Sequence, residues 1–243
     1  MEQGRGAPVR RLVADPAHGP LPVLLLVLTV LTGVVDAVSI LALGRVFVAN
    51  MTGNVVFVGF ALVGAPGFSL AASLIGLAGF VVGAGVGGQL TRRFGTDRGR
   101  LLGLGAGLEL ILFAAATVLV AAVASPIGTT ARDVTVAILA IGTGTQNAVV
   151  RRLAVPDLTT TVLTMTLTGL AADLRNGAKS EVLLRRGLAV LTMLGGAVAG
   201  AELVLHASVT AALSTATALL AVVTAGAWAA SARPAAWRNP PNR

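Results

Sequence analysis

The chain contains no cysteine, and only two of its 243 residues are histidine. Without cysteine there can be no disulfide, no thiolate nucleophile and no cysteine-ligated metal. His18, in the N-terminal tail, and His206, at the end of an apolar run, cannot build a metal site by themselves. Charge is scarce as well, at 12% of residues. No His-Glu-x-x-His, Ser-x-x-Lys, Gly-x-Ser-x-Gly or Walker-type phosphate loop occurs, so the sequence argues against an enzyme and against ATP as the energy source within this chain. The glycines of Gly83-Ala84-Gly85-Val86-Gly87-Gly88 lie inside an apolar run with no following Lys-Ser/Thr, which makes them packing glycines. No cofactor is expected.

What is abundant is apolar surface. At 55% hydrophobic residues and a mean hydropathy of +0.87, the chain carries more of it than a soluble domain of this length could bury. Apolar runs occupy residues 21–43, 46–64, 68–90, 101–124, 133–150, 157–173, 187–205 and 207–230. They are continuously apolar, not alternating, which excludes a β-barrel. A spanning helix needs roughly 20 such residues to cross about 30 Å, and 46–64 and 157–173 are marginal. The first run is too long for the core of a secretory signal, and Asp36 stands where a cleavage site needs small neutral residues. Arg10-Arg11 reads as a basic flank in place of a twin-arginine signal.

The net charge of +8 does not point to nucleic acid, because the basic residues lie between apolar runs and report orientation. If all eight runs cross with the N-terminus inside, 11 of the 18 Lys and Arg are cytoplasmic. If 46–64 and 157–173 each enter and leave on one side, 16 are cytoplasmic and only Arg45 and Arg132 lie outside. The second assignment obeys the positive-inside rule. On this reading the basic loops at 92–100 and 175–186 are topogenic and lipid-facing.

The same assignment gives two halves of opposite orientation. Gly33-Val-Val-Asp36-Ala37 has the spacing of Gly144-Thr-Gln-Asn147-Ala148, and each is followed by a polar break, a short apolar run and a glycine-rich helix. The expected fold is an all-α integral membrane protein of about six transmembrane helices, built as two inverted 3+3 repeats. Each repeat carries a short re-entrant or half-length helix. The boundaries are a cytoplasmic tail at 1–20, a first repeat at 21–124, a second at 125–231 and a cytoplasmic tail at 232–243. Both tails, rich in Pro, Gly and Arg, read as poorly ordered. Gly79, Gly83 and Gly87 in one glycine-rich helix, and Gly196 and Gly200 in the other, allow close backbone approach in lipid. They are expected to make those two helices cross near the repeat axis, and they serve intramolecular packing or a homo-oligomer equally well.

Polar residues inside these runs carry the functional reading. Non-helical backbone at membrane depth is tolerated only inside protein or beside water, and Asn50, Thr52, Gly53 and Asn54 mark such a place. In the second half Asp157 and Thr159–Thr161 offer the same capping chemistry. The N-terminal end of a half-helix favours an anionic or carbonyl-bearing ligand. Asp36 and Glu109 are intramembrane acids, which usually face a cavity or a partner, and are expected to couple protons or ions. Glu202 is a third acid, close to a segment end. Gln146 and Asn147 are uncharged counterparts of the Asp36 region. Substrate binding is therefore expected at Asn50, Thr52, Gly53, Asn54, Gln146, Asn147 and Thr160, and Arg45 either contacts an anion or anchors at headgroups.

Asp36-Ala37-Val38-Ser39, the run Val46-Phe47-Val48-Ala49-Asn50-Met51-Thr52-Gly53-Asn54, Gln146-Asn147-Ala148, Thr159-Thr160-Thr161 and Thr168-Gly169 resemble the YoaK family, over about residues 20–230. That family consists of bacterial multi-pass inner-membrane proteins defined by a domain of unknown function. The resemblance implies a six-helix protein of the bacterial inner membrane and no established substrate. The residues themselves favour a secondary transporter of a small molecule or ion, working in the lipid bilayer with both termini cytoplasmic. A channel-like pore and a non-transporting scaffold are the other readings.

Overall fold

The computed structural model describes residues 17–123, 126–161, 163–176, 180–232 and 234–239. The basic residues Arg5, Arg10, Arg11, Lys179, Arg233 and Arg243 of the charge argument lie outside them, as does most of the N-terminal tail. The described residues are helical throughout, in the order α1 (Leu21–Ala42), α2 (Met51–Leu62), α3 (Leu70–Phe94), α4 (Arg98–Ala122), α5 (Thr129–Leu153), α6 (Leu163–Asn176), α7 (Ser180–His206) and α8 (Val209–Ser231), then a 3-10 turn at Ala236–Arg238. Six of these, all but α2 and α6, are long and apolar enough to cross a membrane. Helix α2 has 12 residues and α6 has 14, and at about 1.5 Å per residue neither reaches 30 Å.

Local sequence sets several of the helix ends. Ser69 Oγ accepts from Ala72 N at 3.2 Å to start α3, Asp97 accepts from Arg100 N at 3.0 Å to start α4, and Ser208 accepts from Ala211 N at 3.0 Å to start α8. Each satisfies an amide that has no partner within its helix.

Packing pairs helices from different halves. Helix α3 lies along α5, and α1 lies along α7. The glycine rows explain both contacts. A Cβ on Gly83 would collide with the Ile141 carbonyl, and one on Gly87 would stand 2.7 Å from the Thr145 carbonyl. On the other pair, a Cβ on Gly196 would collide with the Val30 carbonyl and one on Gly200 would stand 2.7 Å from that of Val34. Gly79 adds a third approach, its Cβ position lying 3.0 Å from the Ala137 carbonyl. Within each pair the contacts advance together along both chains, so the helices are parallel. The expectation that the two glycine-rich helices cross each other is corrected: α3 and α7 make no extensive mutual contact. Each glycine row instead receives the backbone ridge of the other half's first helix.

The remaining contacts fix direction. Gly105 meets Val149 and Gly142 meets Phe113, so α4 and α5 are antiparallel; Gly99 meets Ser231 and Thr117 Oγ1 lies 3.1 Å from Thr217 Oγ1, so α4 and α8 are antiparallel. Gly226 meets Leu24 and Gly19 meets Trp237, which sets α1 antiparallel to α8. Helices α1, α4 and α7 therefore run one way, and α3, α5 and α8 the other. Helices α2 and α6 each lie between two long helices of opposite direction, so the segments that hold them enter and leave at the same end of the bundle. Val81, Val82, Leu191, Leu194 and Val198 remain exposed on α3 and α7, as lipid-facing positions should.

One end of the bundle is clasped. Arg98, 2% exposed, donates to the carbonyls of Ala17 at 3.2 Å, Trp237 at 3.3 Å and Leu153 at 2.6 Å. Asp97 pairs with Arg238, and Trp237 fills the notch left by Gly19 and Gly99. Two expectations are thereby corrected. Arg98 is not a lipid-facing charge, because carbonyls from three distant segments need a donor there, and residues 236–238 of the C-terminal tail are docked against α4.

Candidate functional site

The site is built on the two connectors that precede the short helices. In the first, residues 43–50, the side chain of Asn54 reaches back and bonds Phe47 on both sides: Asn54 Nδ2 donates to the Phe47 carbonyl at 2.6 Å and Phe47 N donates to Asn54 Oδ1 at 2.8 Å. This satisfies an irregular backbone inside the bundle. Asn54 is fully buried, and Gly76 gives it room. Gly53 lies under the ring of Phe47, which stacks on Phe57 at 5.6 Å. Thr143 of α5 donates to the Val48 carbonyl, fixing the first connector to the second half.

Asn50 occupies the N-cap position of α2 yet makes no side-chain cap bond. Its amide donates instead to Asp36 Oδ2 on α1, 14 residues earlier. In the second half Thr161 donates to Asn147 Oδ1 at 2.8 Å, across the same separation of 14 residues. Asp36 and Asn147 are the positions that the sequence spacing equates, and each holds the connector that follows it. Asp36 is 7% exposed, and its Oδ1 is buried with no partner among the described residues. Removing an ionised carboxylate from water costs several kcal/mol unless a partner offsets it. That oxygen can receive a proton or a cation.

The second acid has different company. Glu109 on α4 is fully buried and faces α5 across Gly142. With the Gln146 amide nitrogen directed at it, Gln146 donates to both carboxylate oxygens at 3.0 Å while its oxygen accepts from Thr160 Oγ1 at 3.1 Å. Thr160 has φ +61°, a left-handed backbone rarely taken by a β-branched residue. The chain Glu109–Gln146–Thr160 thus fastens a strained connector to α4 and α5.

The structure brings Asp36 together with Asn50, and Glu109 with Gln146 and Thr160. Asn147 stands one position beyond Gln146, and its Nδ2 donates to the Thr143 carbonyl at 3.1 Å. Asn54 is spent on backbone, Gly53 on contact with Phe47, and Thr52 is exposed on α2. Glu202 is exposed and lies 3.2 Å from His206 Nδ1, away from both acids. Arg45 packs beside Gly67. Asp157 accepts from Arg186 Nε at 2.8 Å, and Arg186 also pairs with Asp173. Sequence reasoning missed that ionic bridge, together with Thr143 and the Thr161–Asn147 bond. The equal 14-residue spacing was the signal that could have found the last.

A cavity of about 730 Å³ lies between α3, the last turns of α5 and the second connector, with Asn147 and Thr159 in its wall.

The profile of the family described as "Protein of unknown function (DUF1275)" matches residues 24–226. The chain is 30% identical over 151 residues to the "UPF0700 transmembrane protein YoaK" of Bacillus subtilis (strain 168), an alignment that covers 62% of this chain and 66% of that protein. No solved structure matches. Six membrane-length apolar helices and a family match that runs from α1 to α8 lead to one assignment: the chain belongs to the DUF1275 family of multi-pass membrane proteins.

Proposed function

We propose that the protein is a non-enzymatic secondary transporter of a small molecule, built from two inverted three-helix repeats in a bacterial inner membrane, with both termini cytoplasmic. The observation that carries this reading is the buried pair Asp36–Asn50: an acid in the bundle with one oxygen held by a connector residue and the other without a partner among the described residues. Such a group ties the occupancy of its free oxygen to the position of the connector. Repeat-built transporters place coupling sites at broken helices in this way.

The pairing of helices supports the inverted arrangement. The α3–α5 contact has its counterpart in α7–α1, α4–α5 in α8–α1, and α2–α3 in α6–α7, while α4–α8 is its own counterpart. The orientation rests on the charge count, which the clasped end agrees with: it gathers the start of α1, the start of α4, the end of α5 and the end of α8. Asp36 couples the ion in this reading. Asn50 and Asn147 respond to it, and Glu109, Gln146 and Thr160 set the second connector.

Protein in proteoliposomes under an imposed proton gradient, offered a mixed metabolite pool, tests the reading. Metabolite-dependent proton movement that disappears in Asp36→Asn is the expected result. Non-saturating flux would indicate a pore. Absence of flux under every gradient, with Asp36→Asn folded and indistinguishable, would overturn transport and leave a scaffold.

A further inference from the structure

We infer that the cavity between α3, the end of α5 and the second connector is a binding site for a small anion with an apolar body, a carboxylate or phosphate carried on a hydrocarbon group. Calling that anion a transported substrate rests on the carrier reading; the binding site does not.

Three observations carry it. First, the volume of about 730 Å³ falls within the range typical of small-molecule pockets, roughly 300–1,000 Å³. Second, the charge is of one sign: Arg151 and Arg152 line the cavity, and no aspartate or glutamate does. Third, the donors are not spent. Arg152 Nε and Thr91 Oγ1 are both buried without a hydrogen-bond partner among the described residues, and Arg152 Nη2 donates to the Gly95 carbonyl only at a long 3.5 Å. A buried polar atom left unpaired is costly, and both of these belong to residues of the cavity wall.

The remaining wall says what the anion is attached to. Phe80, Val155 and Leu158 line the same space, so part of its wall suits hydrocarbon. Asn147 is also in the wall, which places an occupant beside the residue that holds Thr161 and hence the second connector. On the proposed orientation this end of α5 is cytoplasmic. The anion has two sources there, a free organic acid or the headgroup of an anionic lipid.

The test is calorimetric titration of the full chain in phosphatidylcholine nanodiscs with octanoate, octanol and octylammonium, repeated in discs containing phosphatidylglycerol. Octanoate binding at least about tenfold tighter than octanol, and reduced to the octanol level in Arg152→Gln but not in Arg93→Gln, supports a site for a free anion. Octanoate binding that phosphatidylglycerol abolishes by competition supports the same site with a headgroup as occupant. Equal affinity for octanoate and octanol in both lipids overturns the inference. Should Arg152→Gln fail to fold, Thr91→Val and the octanoate-to-octanol ratio of the parent decide. Equilibrium binding needs no flux, so failure here is distinct from failure of transport.

Discussion

The two connectors do one architectural job with different chemistry. Each enters the bundle after a long helix and is tied back to that helix by a side-chain hydrogen bond over 14 residues. In the first, the tie is a carboxylate with an amide. In the second it is an amide with a hydroxyl, and beside it runs the chain Glu109–Gln146–Thr160. At the matching places of the first half stand Val35 and Ala49, both buried and apolar. The backbone plan is thus shared while the ionisable groups are distributed unequally, and in the proposed transporter that inequality is what would let one connector respond to an ion that the other does not sense.

The sharpest way to break the comparison is to equalise the ties. Asp36→Asn makes the first tie as neutral as the second. An amide can still accept from Asn50, so the melting temperature in detergent should stay near the parent value while proton-coupled flux falls to background. Retained coupling would show that the two connectors are equivalent after all.

The glycine rows offer the next largest effect. Gly83→Ala and Gly196→Ala each push a methyl group into a backbone carbonyl of the partner helix, where overpacking costs about 1–3 kcal/mol. Both should lower thermal stability to a similar degree. Gly85→Ala and Gly195→Ala, which meet open space, should be neutral or more stable by up to ~1 kcal/mol from helix propensity. A large difference between Gly83→Ala and Gly196→Ala would mean that the two interhalf contacts are not alike.

A third comparison converts the second half to the chemistry of the first. Gln146→Val alone strands the fully buried Glu109 and should cost ~1–3 kcal/mol. Adding Glu109→Leu removes the stranded group and should recover most of that loss, as double-mutant melting would reveal. Failure to recover would mean that Gln146 acts mainly through Thr160.

The smallest effect concerns the clasped end. The hydrogen bond from Arg238 is the chief reason the Asp97 carboxyl is held below its ordinary value of 3.8. A carboxyl with a lowered value stabilises the fold above its unfolded pKa, and that contribution is lost as pH falls through the lowered one. For so accessible a pair the contribution is small, because solvent screens it. Docking of Trp237, followed by its fluorescence in a protein whose Trp228 is replaced by Phe, should loosen on acidification below that range, and Asp97→Asn should loosen it at neutral pH.

Much of this was legible in residue order. Hydropathy alone names six spans and two short runs, because crossing hydrocarbon imposes a length and a composition that no tertiary contact can waive. Arginine placement separates the six from the two. Asp36, Glu109 and Gln146 stand out because a polar group in an apolar run has a cost that calls for a partner. Which partner was not legible. Asn54 and Asn50 look alike in sequence, yet one is consumed by the backbone of Phe47 and the other reaches Asp36. Arg98 looks like its basic neighbours, yet it is buried because carbonyls of Ala17, Leu153 and Trp237 meet there.

The sequence by itself therefore determined the class of the protein, its spans, the repeat of its glycines and the identity of its buried acids, since each follows from local composition in a low-dielectric solvent. Only the tertiary structure decided that the glycine rows receive α1 and α5 and do not meet each other, that one oxygen of Asp36 has no partner among the described residues, and that two arginines and an apolar wall line a common space. Those outcomes depend on distances between residues far apart in the chain, which are set by how whole helices pack and not by any segment alone.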